Sequence, residues 1–295
     1  MEGRLNILYR GPLSSCNYRC HYCPFAKRRE SAAELRHDKN CLERFENWVE
    51  NYNAKKLGVL FTPWGEALTR SWYRDSMIRL SHLPQVQRVA VQTNLSARLD
   101  WLKDANRESI ALWCTYHPDE VSRSEFVSQC QQINEMGIRH SVGVVGLKEH
   151  QEEIETLRDE LSSDTYLWIN AYKREPEYYD SEMIDQFTKI DPLFPVNNLR
   201  HPSLGKPCNT GHSVISVDGD GDIRRCHFIK DVIGNLYSSD LAQVLKPRGC
   251  SNQTCGCHIG YVHMPHLKME HVFGDSLLER IPVQPAPDRK LASLS

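Results

Sequence analysis

The sequence has no long apolar segment. Its uninterrupted apolar runs extend over only a few residues, whereas a helix needs about 20 apolar residues to cross a bilayer. The first residues, MEGRLNILYRGPLSSC, contain no apolar run of the length that a secretory signal peptide has. We therefore expect a cytoplasmic protein that does not bind a membrane.

The sequence also has no excess of charge of one sign. It has 36 Lys and Arg against 38 Asp and Glu, and so a formal charge of −2 over 295 residues. This balance argues against duplex nucleic acid as a partner, because such proteins usually carry a strongly basic face. Hydrophobic residues make up 40% and charged residues 25%, as in ordinary globular proteins. The length predicts one large domain, or one large and one small domain.

Cysteine is abundant, and its distribution is uneven. In a reducing compartment disulfides rarely persist, so clustered cysteines are more often metal ligands or catalytic groups. Of the 11 cysteines, three lie near the start and five in the last third: Cys16, Cys20 and Cys23, then Cys208, Cys226, Cys250, Cys255 and Cys257. Free cysteine is among the most often buried residues. We therefore predict inert buried thiols at the three isolated positions, Cys41, Cys114 and Cys130.

Short apolar runs alternate with amphipathic helical stretches between about residues 4 and 190. The runs are LNILY (5–9), LGVLF (57–61), VQRVAVQ (86–92), IALWCTY (110–116), IRHSVGVV (138–145) and TYLWIN (165–170). Capping-box pairs such as Ser31 with Glu34 predict where helices begin between them. This pattern predicts an α/β fold with parallel strands, either an open sheet or an incomplete barrel, with its site beyond the carboxyl ends of the strands.

The alternation ends near residue 195. The segment SVISVDGDGDIRRC (213–226) then predicts two short strands around an Asp-Gly turn. Its Asp218-x-Asp220-x-Asp222 pattern imitates a calcium loop, but Ile223 stands at the sixth position and Ile229 at the twelfth, where such loops need Gly and Glu. We predict a division into residues 1–195, a small cysteine-rich domain over 196–268 and a tail over 269–295.

The first motif is Cys16-N-Y-R-Cys20-H-Y-Cys23, in the loop after the first predicted strand. Three thiolates this close can hold three irons of a 4Fe–4S cluster and leave the fourth iron open. Two other interpretations are a zinc knuckle that recruits His21 and a Cys20-x-x-Cys23 redox pair. A closed zinc site needs four ligands, and it would not explain the motifs after the other strands.

This motif resembles the C-x3-C-x-(aromatic)-C signature of the radical S-adenosylmethionine (SAM) enzymes, with Tyr22 at the aromatic position. The resemblance extends over roughly residues 4–190. It implies a partial (β/α)6 TIM-like barrel whose 4Fe–4S cluster binds SAM. It also implies an external one-electron reductant such as flavodoxin or ferredoxin.

Further motifs at the predicted strand ends extend the resemblance to the SAM site. Gly65 and Glu66 match the family's G-G-E-P motif, although Trp64 replaces its first glycine. The resemblance implies that they hold the SAM ammonium. It assigns the SAM carboxylate, ribose and adenine to Gln92, Asn94, Thr115, His117 and Arg123, and to Val144 and Gly146 in a motif whose first glycine is replaced by Val142. Each of the polar residues could equally be a turn or cap residue.

The C-terminal cysteines resemble a second family pattern. Cys208, followed by Gly221-x4-Cys226, is similar to the opening of the SPASM and twitch domains, which follow many radical SAM barrels and hold auxiliary iron–sulfur clusters. Cys250, Cys255 and Cys257 would supply the remaining ligands. Five cysteines are enough for a second, auxiliary 4Fe–4S cluster with four thiolate ligands, and one cysteine would then not be a ligand. The alternative is a zinc site of Cys255, Cys257 and either His258 or His263.

The resemblance therefore favours a radical SAM enzyme that cleaves SAM to a 5′-deoxyadenosyl radical and abstracts a substrate hydrogen. The family association of SPASM and twitch domains favours a peptide or protein substrate. The alternative within the family is dehydrogenation or tailoring of a small molecule. Two other classes are a two-cluster electron carrier and a zinc-stabilised binding protein. The six β/α units and the SAM-site residues argue against the electron carrier, and Cys16–Cys23 lacks an evident fourth ligand for zinc.

Overall fold

The computed structural model describes residues 3–25 and 28–283. All six predicted apolar runs form strands, within a few residues of the expected bounds. They are β1 (Arg4–Arg10), β2 (Lys56–Phe61), β3 (Val86–Thr93), β4 (Ile110–Tyr116), β5 (Arg139–Val145) and β6 (Leu167–Asn170).

Helices connect these strands on the outer side of the sheet. The first begins after Ser31, whose side chain and that of Glu34 form the expected capping box. None of the helices within residues 3–25 and 28–283 is long and apolar enough to cross a membrane. The helices are α1 (Ala32–Asn51), α2 (Ser71–Ser81), α3 (Arg123–Glu135), α4 (Gln151–Glu160), α5 (Ser181–Ile190), α6 (Phe194–Asn197), α7 (Leu241–Val244), α8 (His258–Tyr261) and α9 (Met269–Phe273).

The six strands β1 to β6 pair in chain order, and every neighbouring pair is parallel. Their side chains alternate between two faces, as strand geometry requires. Ile7 and Tyr9 pack in the core under the helices, whereas Leu8 packs in a separate cluster on the opposite face. This arrangement confirms the predicted α/β fold with a partial TIM-like barrel.

The C-terminal segment extends the same sheet. Its predicted hairpin is confirmed, and β9 pairs in parallel with β1, so that Tyr9 lies opposite Val217. The described part of the chain thus holds one nine-stranded sheet of order β11-β10-β9-β1-β2-β3-β4-β5-β6. The added strands are β7 (His201–Pro202), β8 (Pro207–Cys208), β9 (Val214–Asp218), β10 (Asp222–Arg224), β11 (Val232–Asn235), β12 (Arg248–Gly249) and β13 (Thr254–Cys255).

The last described residues fill the concave face of the barrel. Leu8, Trp113 and Trp168 from the strands form a buried cluster with side chains from the segment after Cys257, which are Ile259, Tyr261, Val262, Met264, Leu267, Met269, Phe273, Leu277 and Leu278. The division into three parts stays a prediction. Its third part, however, packs in the barrel as far as Leu278, and residues 284–295 lie outside the described residues.

Glu279 forms ion pairs that connect this segment to the amino ends of the strands. Its carboxylate lies 3.0 Å from the guanidinium groups of both Arg88 and Arg139, and it is fully buried. Glu279→Gln should lower the free energy of unfolding by about 3–5 kcal/mol, because it leaves the buried guanidinium of Arg88 without its counter-charge. Asp275→Asn is the matched control, since the Asp275 side chain is 74% exposed beside Arg4 and its loss should cost at most about 1 kcal/mol.

Denaturant unfolding of both variants measures the difference. Equal unfolding free energies for the wild type and Glu279→Gln would contradict this account of how the segment is held.

Candidate functional site

A cavity beyond the carboxyl ends of β1 to β4 brings together most of the residues predicted for the first site. Because these strands are parallel and adjacent, residues far apart in the sequence meet at one edge. Nine of the predicted residues line the cavity: Cys16, Cys20, Cys23, Gly65, Glu66, Gln92, Asn94, Thr115 and His117. The structure adds Tyr18, Phe25, Pro63, Trp64 and Thr93 to the lining.

The loop that carries the three cysteines is anchored at its base by two carboxylates. Glu30 accepts the backbone N–H of Ser14 at 2.8 Å and that of Ser15 at 3.2 Å. Buried Asp38 accepts the Leu13 N–H at 3.0 Å. These bonds satisfy backbone donors that no sheet partner reaches, and they fix the start of the loop just before Cys16.

Each of the three thiols has a polar hydrogen-bonding atom close to its sulfur. The Sγ of Cys16 accepts the Tyr18 N–H and the Sγ of Cys23 accepts the Phe25 N–H, both at 3.4 Å. The Sγ of Cys20 lies 3.3 Å from Nδ1 of His117. Burial and the nearby Glu120 raise the pKa of Cys20 to about 12. Metal binding at this thiol therefore has to release a proton.

The Tyr22 side chain holds the cysteine loop in place by a hydrogen bond to His117. The Tyr22 hydroxyl lies 2.7 Å from Nδ1 of His117, and burial lowers the pKa of His117 to about 4. The imidazole is therefore neutral near pH 7 and can accept the Tyr22 O–H. Tyr22 is also buried against Leu147, with Val145 packed beside them. Neither Val145 nor Leu147 belongs to the predicted site.

Gly65 allows the loop after β2 to lie directly against the cysteine loop. Its N–H donates to Leu13 O at 3.2 Å, and that of Glu66 donates to Ser15 O at 3.1 Å. A Cβ atom on Gly65 would lie 1.9 Å from Ser15 O, which is far inside van der Waals contact. No residue with a side chain fits this position without moving one of the two loops.

Glu66 places a buried carboxylate beside this loop. It accepts the Thr93 hydroxyl and the Asn94 N–H, both at 2.7 Å, and the Leu68 N–H at 3.0 Å. Burial raises its pKa, so a cationic group that binds here favours the ionised form. The Asn94 side chain lies 3.8 Å from the Sγ of Cys16. The carboxylate and the thiols therefore face one cavity.

Glu66→Gln should weaken SAM binding by about 1.5–3 kcal/mol, the range for a hydrogen bond to a charged group. This corresponds to a roughly 10- to 150-fold higher dissociation constant. Calorimetric titration of the reconstituted protein with SAM measures it, and the iron content should not change. The control is Glu108→Gln, an exposed glutamate before β4. Equal SAM affinity in Glu66→Gln and the wild type would contradict a role in SAM binding, and Glu66 would then only cap its loop.

Four residues predicted to bind the cofactor do not line this cavity, and they are Tyr22, Arg123, Val144 and Gly146. The Arg123 guanidinium pairs with Glu153 at 2.6 Å and Glu160 at 3.0 Å, so its charge is already neutralised by α4. The Val144 side chain packs in the core on the helix side. A Cβ atom on Gly146 would lie 2.8 Å from Ile169, so this glycine serves packing. The role predicted for the Arg123 side chain stays a prediction, and a SAM carboxylate would have to displace Glu153 or Glu160 to pair with it.

The C-terminal cysteines line a second cavity of about 380 Å³. Short strand pairings bring them together. In β8 and β12, Cys208 lies opposite Arg248, and in β13 and β7, Cys255 lies opposite His201. His258, a ligand in the alternative zinc site, does not line this cavity. It packs edge-on against Trp113 inside the barrel. The cysteines that line this cavity are Cys208, Cys226, Cys250, Cys255 and Cys257.

Cys257 differs from the other four cysteines in the charges that surround it. Burial raises the pKa of Cys255 to about 12, with smaller contributions from Cys257, Cys226, Cys208 and Cys250. Burial also raises the pKa of Cys257, while the positive charges of Lys173, Arg280 and Arg10 act to lower it.

Arg10 lies between the two cavities, and the sequence analysis missed it. Its guanidinium carbon stacks 4.0 Å from the centre of the Trp64 ring, and its Nε donates to Thr62 O at 3.0 Å. The Thr62 hydroxyl lies 2.9 Å from Nε2 of His227, the residue after Cys226. Arg10 ends β1 and Thr62 follows β2. Residues that follow parallel strands meet at one edge of the sheet, so the sequence could have indicated both as site residues. The pairing of β9 with β1 could not be predicted.

No protein-family model and no curated relative matches the chain. Among solved structures, it is similar to Streptococcus suis SuiB bound to precursor peptide SuiA, with a TM-score of 0.54, 14% identity, and coverage of 83% of this chain and 65% of SuiB. It is also similar to anSMEcpe with bound AdoMet and Cp18Cys peptide, with a TM-score of 0.57, 14% identity and coverage of 88% and 83%. These likenesses confirm that the chain has the predicted fold, that of the radical SAM enzymes.

Proposed function

We propose that this protein is a radical SAM enzyme with one auxiliary iron–sulfur cluster. The observation that carries the proposal is the first cavity. It combines three thiols of the C-x3-C-x-(aromatic)-C motif with a buried carboxylate at 4% exposure, Glu66, and with polar side chains from the ends of β3 and β4. Three thiolates leave one iron of a 4Fe–4S cluster free for a chelating ligand.

The residues around the thiols match the parts of SAM. Glu66 would accept the ammonium as a charge-assisted hydrogen bond. Gln92, Asn94 and Thr115 offer amide and hydroxyl groups for the carboxylate and the ribose. When bound, the cluster would supply the electron that cleaves SAM to methionine and a 5′-deoxyadenosyl radical. The surrounding walls would keep water and stray hydrogen donors away.

For the auxiliary 4Fe–4S cluster we propose four ligands, Cys208, Cys226, Cys250 and Cys255. Each of the first three is close enough to Cys255 for its charge to affect the pKa of that thiol. Cys257 also acts on the pKa of Cys255, but it is exposed, whereas the other four cysteines are buried or half-buried, and we therefore propose it as the spare thiol. Full thiolate ligation leaves no open iron on this cluster, so its role would be electron transfer or substrate support.

The proposed substrate is a peptide or protein. The SuiB and anSMEcpe structures each contain a bound peptide. In this chain, three aromatic side chains at the rims of the two cavities are well exposed: Phe25 at 43%, Trp64 at 39% and Phe228 at 44%. The rings of Phe25 and Trp64 contact each other at a tilt of 45°, with their centres 4.0 Å apart. Such exposed aromatics suit extended chains with apolar side chains.

SAM cleavage distinguishes the enzyme from the electron-carrier alternative. The protein is reconstituted anaerobically with iron and sulfide, reduced with dithionite in place of a flavodoxin or ferredoxin, and incubated with SAM. We expect 5′-deoxyadenosine and methionine in equal amounts. Reducible clusters without SAM cleavage would favour the electron carrier, and zinc in place of iron would favour the binding protein.

The substrate class requires a second experiment. Peptides encoded beside this protein's gene are incubated with the reconstituted protein, SAM and dithionite, and analysed by mass spectrometry. A peptide substrate should lose or exchange hydrogen and increase deoxyadenosine formation. Unchanged peptides, together with stimulation by a small-molecule fraction, would favour the small-molecule alternative.

A further inference from the structure

We propose a zinc site on the outer side of the barrel, formed by His37, Cys41 and Asp220. It lies apart from both cysteine cavities, whose linings contain none of these residues. The sequence predicts an inert thiol at Cys41, but the fold brings two further ligand types to it. His37 and Cys41 lie one turn apart on α1, and Asp220 lies in the turn between β9 and β10.

The distances suit a tetrahedral metal ion. The three candidate ligand atoms all lie within 4.8 Å of one another, and Nε2 of His37 is 3.6 Å from the Sγ of Cys41. Zn–S and Zn–N bonds of about 2.3 Å and 2.0–2.1 Å at a tetrahedral angle put sulfur and nitrogen about 3.6 Å apart. Because Nδ1 of His37 is also only 3.9 Å from this sulfur, the exposed imidazole has to rotate to direct a nitrogen lone pair at the ion, and the backbone can stay in place.

The carboxylate of Asp220 is available to the ion. The neighbouring Asp218 is already used, since it accepts the backbone N–H of Asp220 and ion-pairs with Arg224 at 2.5 Å. No hydrogen bond or ion pair is found for the Asp220 carboxylate within residues 3–25 and 28–283. Gly219 allows the turn to approach, because a Cβ atom there would lie 3.1 Å from the Sγ of Cys41.

Two unpaired phenol groups near Cys41 point to a missing ligand. Within the described residues, the buried hydroxyls of Tyr9 and Tyr237 have no hydrogen-bond partner, and Tyr9 is fully buried. Burial, followed by the proximity of Tyr237 and Cys41, raises the pKa of Tyr9. A water bound to the ion is a candidate acceptor for these two O–H groups, which rarely remain unpaired when buried.

The ligand types favour zinc over the hard cations. Thiolate and imidazole are typical zinc ligands, whereas calcium and magnesium prefer oxygen alone. One Zn²⁺ with one thiolate and one carboxylate gives a neutral site. The nearest cation, Arg44, is stacked 3.8 Å over the Tyr237 ring. The ion would link α1 to the turn between β9 and β10. Helix α1 follows the first cysteine loop, and the turn precedes Cys226.

Metal analysis of the whole protein tests this site. Wild type and His37→Ala are purified anaerobically, reconstituted with iron and sulfide, equilibrated with ZnCl2 and desalted. We expect about one zinc per chain in the wild type, the content of a single site, its loss in His37→Ala, and equal iron in both. His37 is exposed, so the substitution leaves the fold intact. Cys130→Ala, which removes a buried thiol from α3, is the control and should keep its zinc.

X-ray absorption at the zinc edge identifies the ligands. One sulfur at about 2.3 Å with nitrogen and oxygen neighbours at about 2.0–2.2 Å is the expected set. A wild type that retains no zinc, a His37→Ala variant that keeps it, or a spectrum of four sulfurs would each overturn the proposal. Four sulfurs would place the zinc at the C-terminal cysteines instead.

Discussion

Replacing Cys16, Cys20 and Cys23 together with alanine should abolish deoxyadenosine formation and remove about four irons per chain, the content of one 4Fe–4S cluster. The expected effect is complete because these thiols are the proposed protein ligands of the first cluster, and no SAM cleavage is possible without it. Iron analysis and chromatographic quantification of deoxyadenosine measure both losses.

The control for this variant is Cys130→Ala, which also removes a thiol. Cys130 is buried in α3, away from both cavities, and its loss should change neither the iron content nor the activity. SAM cleavage at the wild-type rate in the triple variant would refute the assignment of the first site.

Cys226→Ala should remove the auxiliary cluster, whereas Cys257→Ala should retain it. Cys226 is buried among the proposed ligands, where the charges of Cys208 and Cys250 raise its pKa in addition to the effect of burial. Without the cluster, residues 245–257, which are held by the short pairings of β12 and β13, lose the ligation that orders them, and they should become sensitive to protease. Iron content and limited proteolysis measure both effects.

Cys257→Ala is the matched control, because it removes a thiol from the same cavity. Its iron content and its protease resistance should equal those of the wild type. Equal iron loss in the two variants would make Cys257 a ligand, and the choice of the four proposed cysteines would then be wrong.

The barrel strands and the first site could be predicted because their signals are local. Apolar runs mark the strands, and in a parallel sheet residues that follow the strands meet at one edge. Glu66, from the loop after β2, therefore lies beside Asn94, from the end of β3, although 28 residues separate them. The same rule could have indicated Arg10 and Thr62, but neither belongs to a recognised motif.

Other features depend on long-range packing, for which the sequence has no local signal. The ion pairs of Arg123 with α4 depend on how two helices pack, so its place at the start of α3 did not reveal its partners. Glu279 reaches Arg88 and Arg139 only because the last segment enters the barrel. The pairing of β9 with β1 joins strands more than 200 residues apart, and it brings Asp220 to Cys41.

Electron paramagnetic resonance of the reduced, reconstituted protein with and without SAM tests the central claim most directly. If three thiolates leave one iron open to SAM, one of the two cluster signals should change when SAM is added. The second signal, isolated in the Cys16/Cys20/Cys23→Ala variant, should not change because four thiolates close that cluster. A wild-type spectrum that SAM leaves unchanged, or a SAM-induced change in the triple variant, would contradict the account.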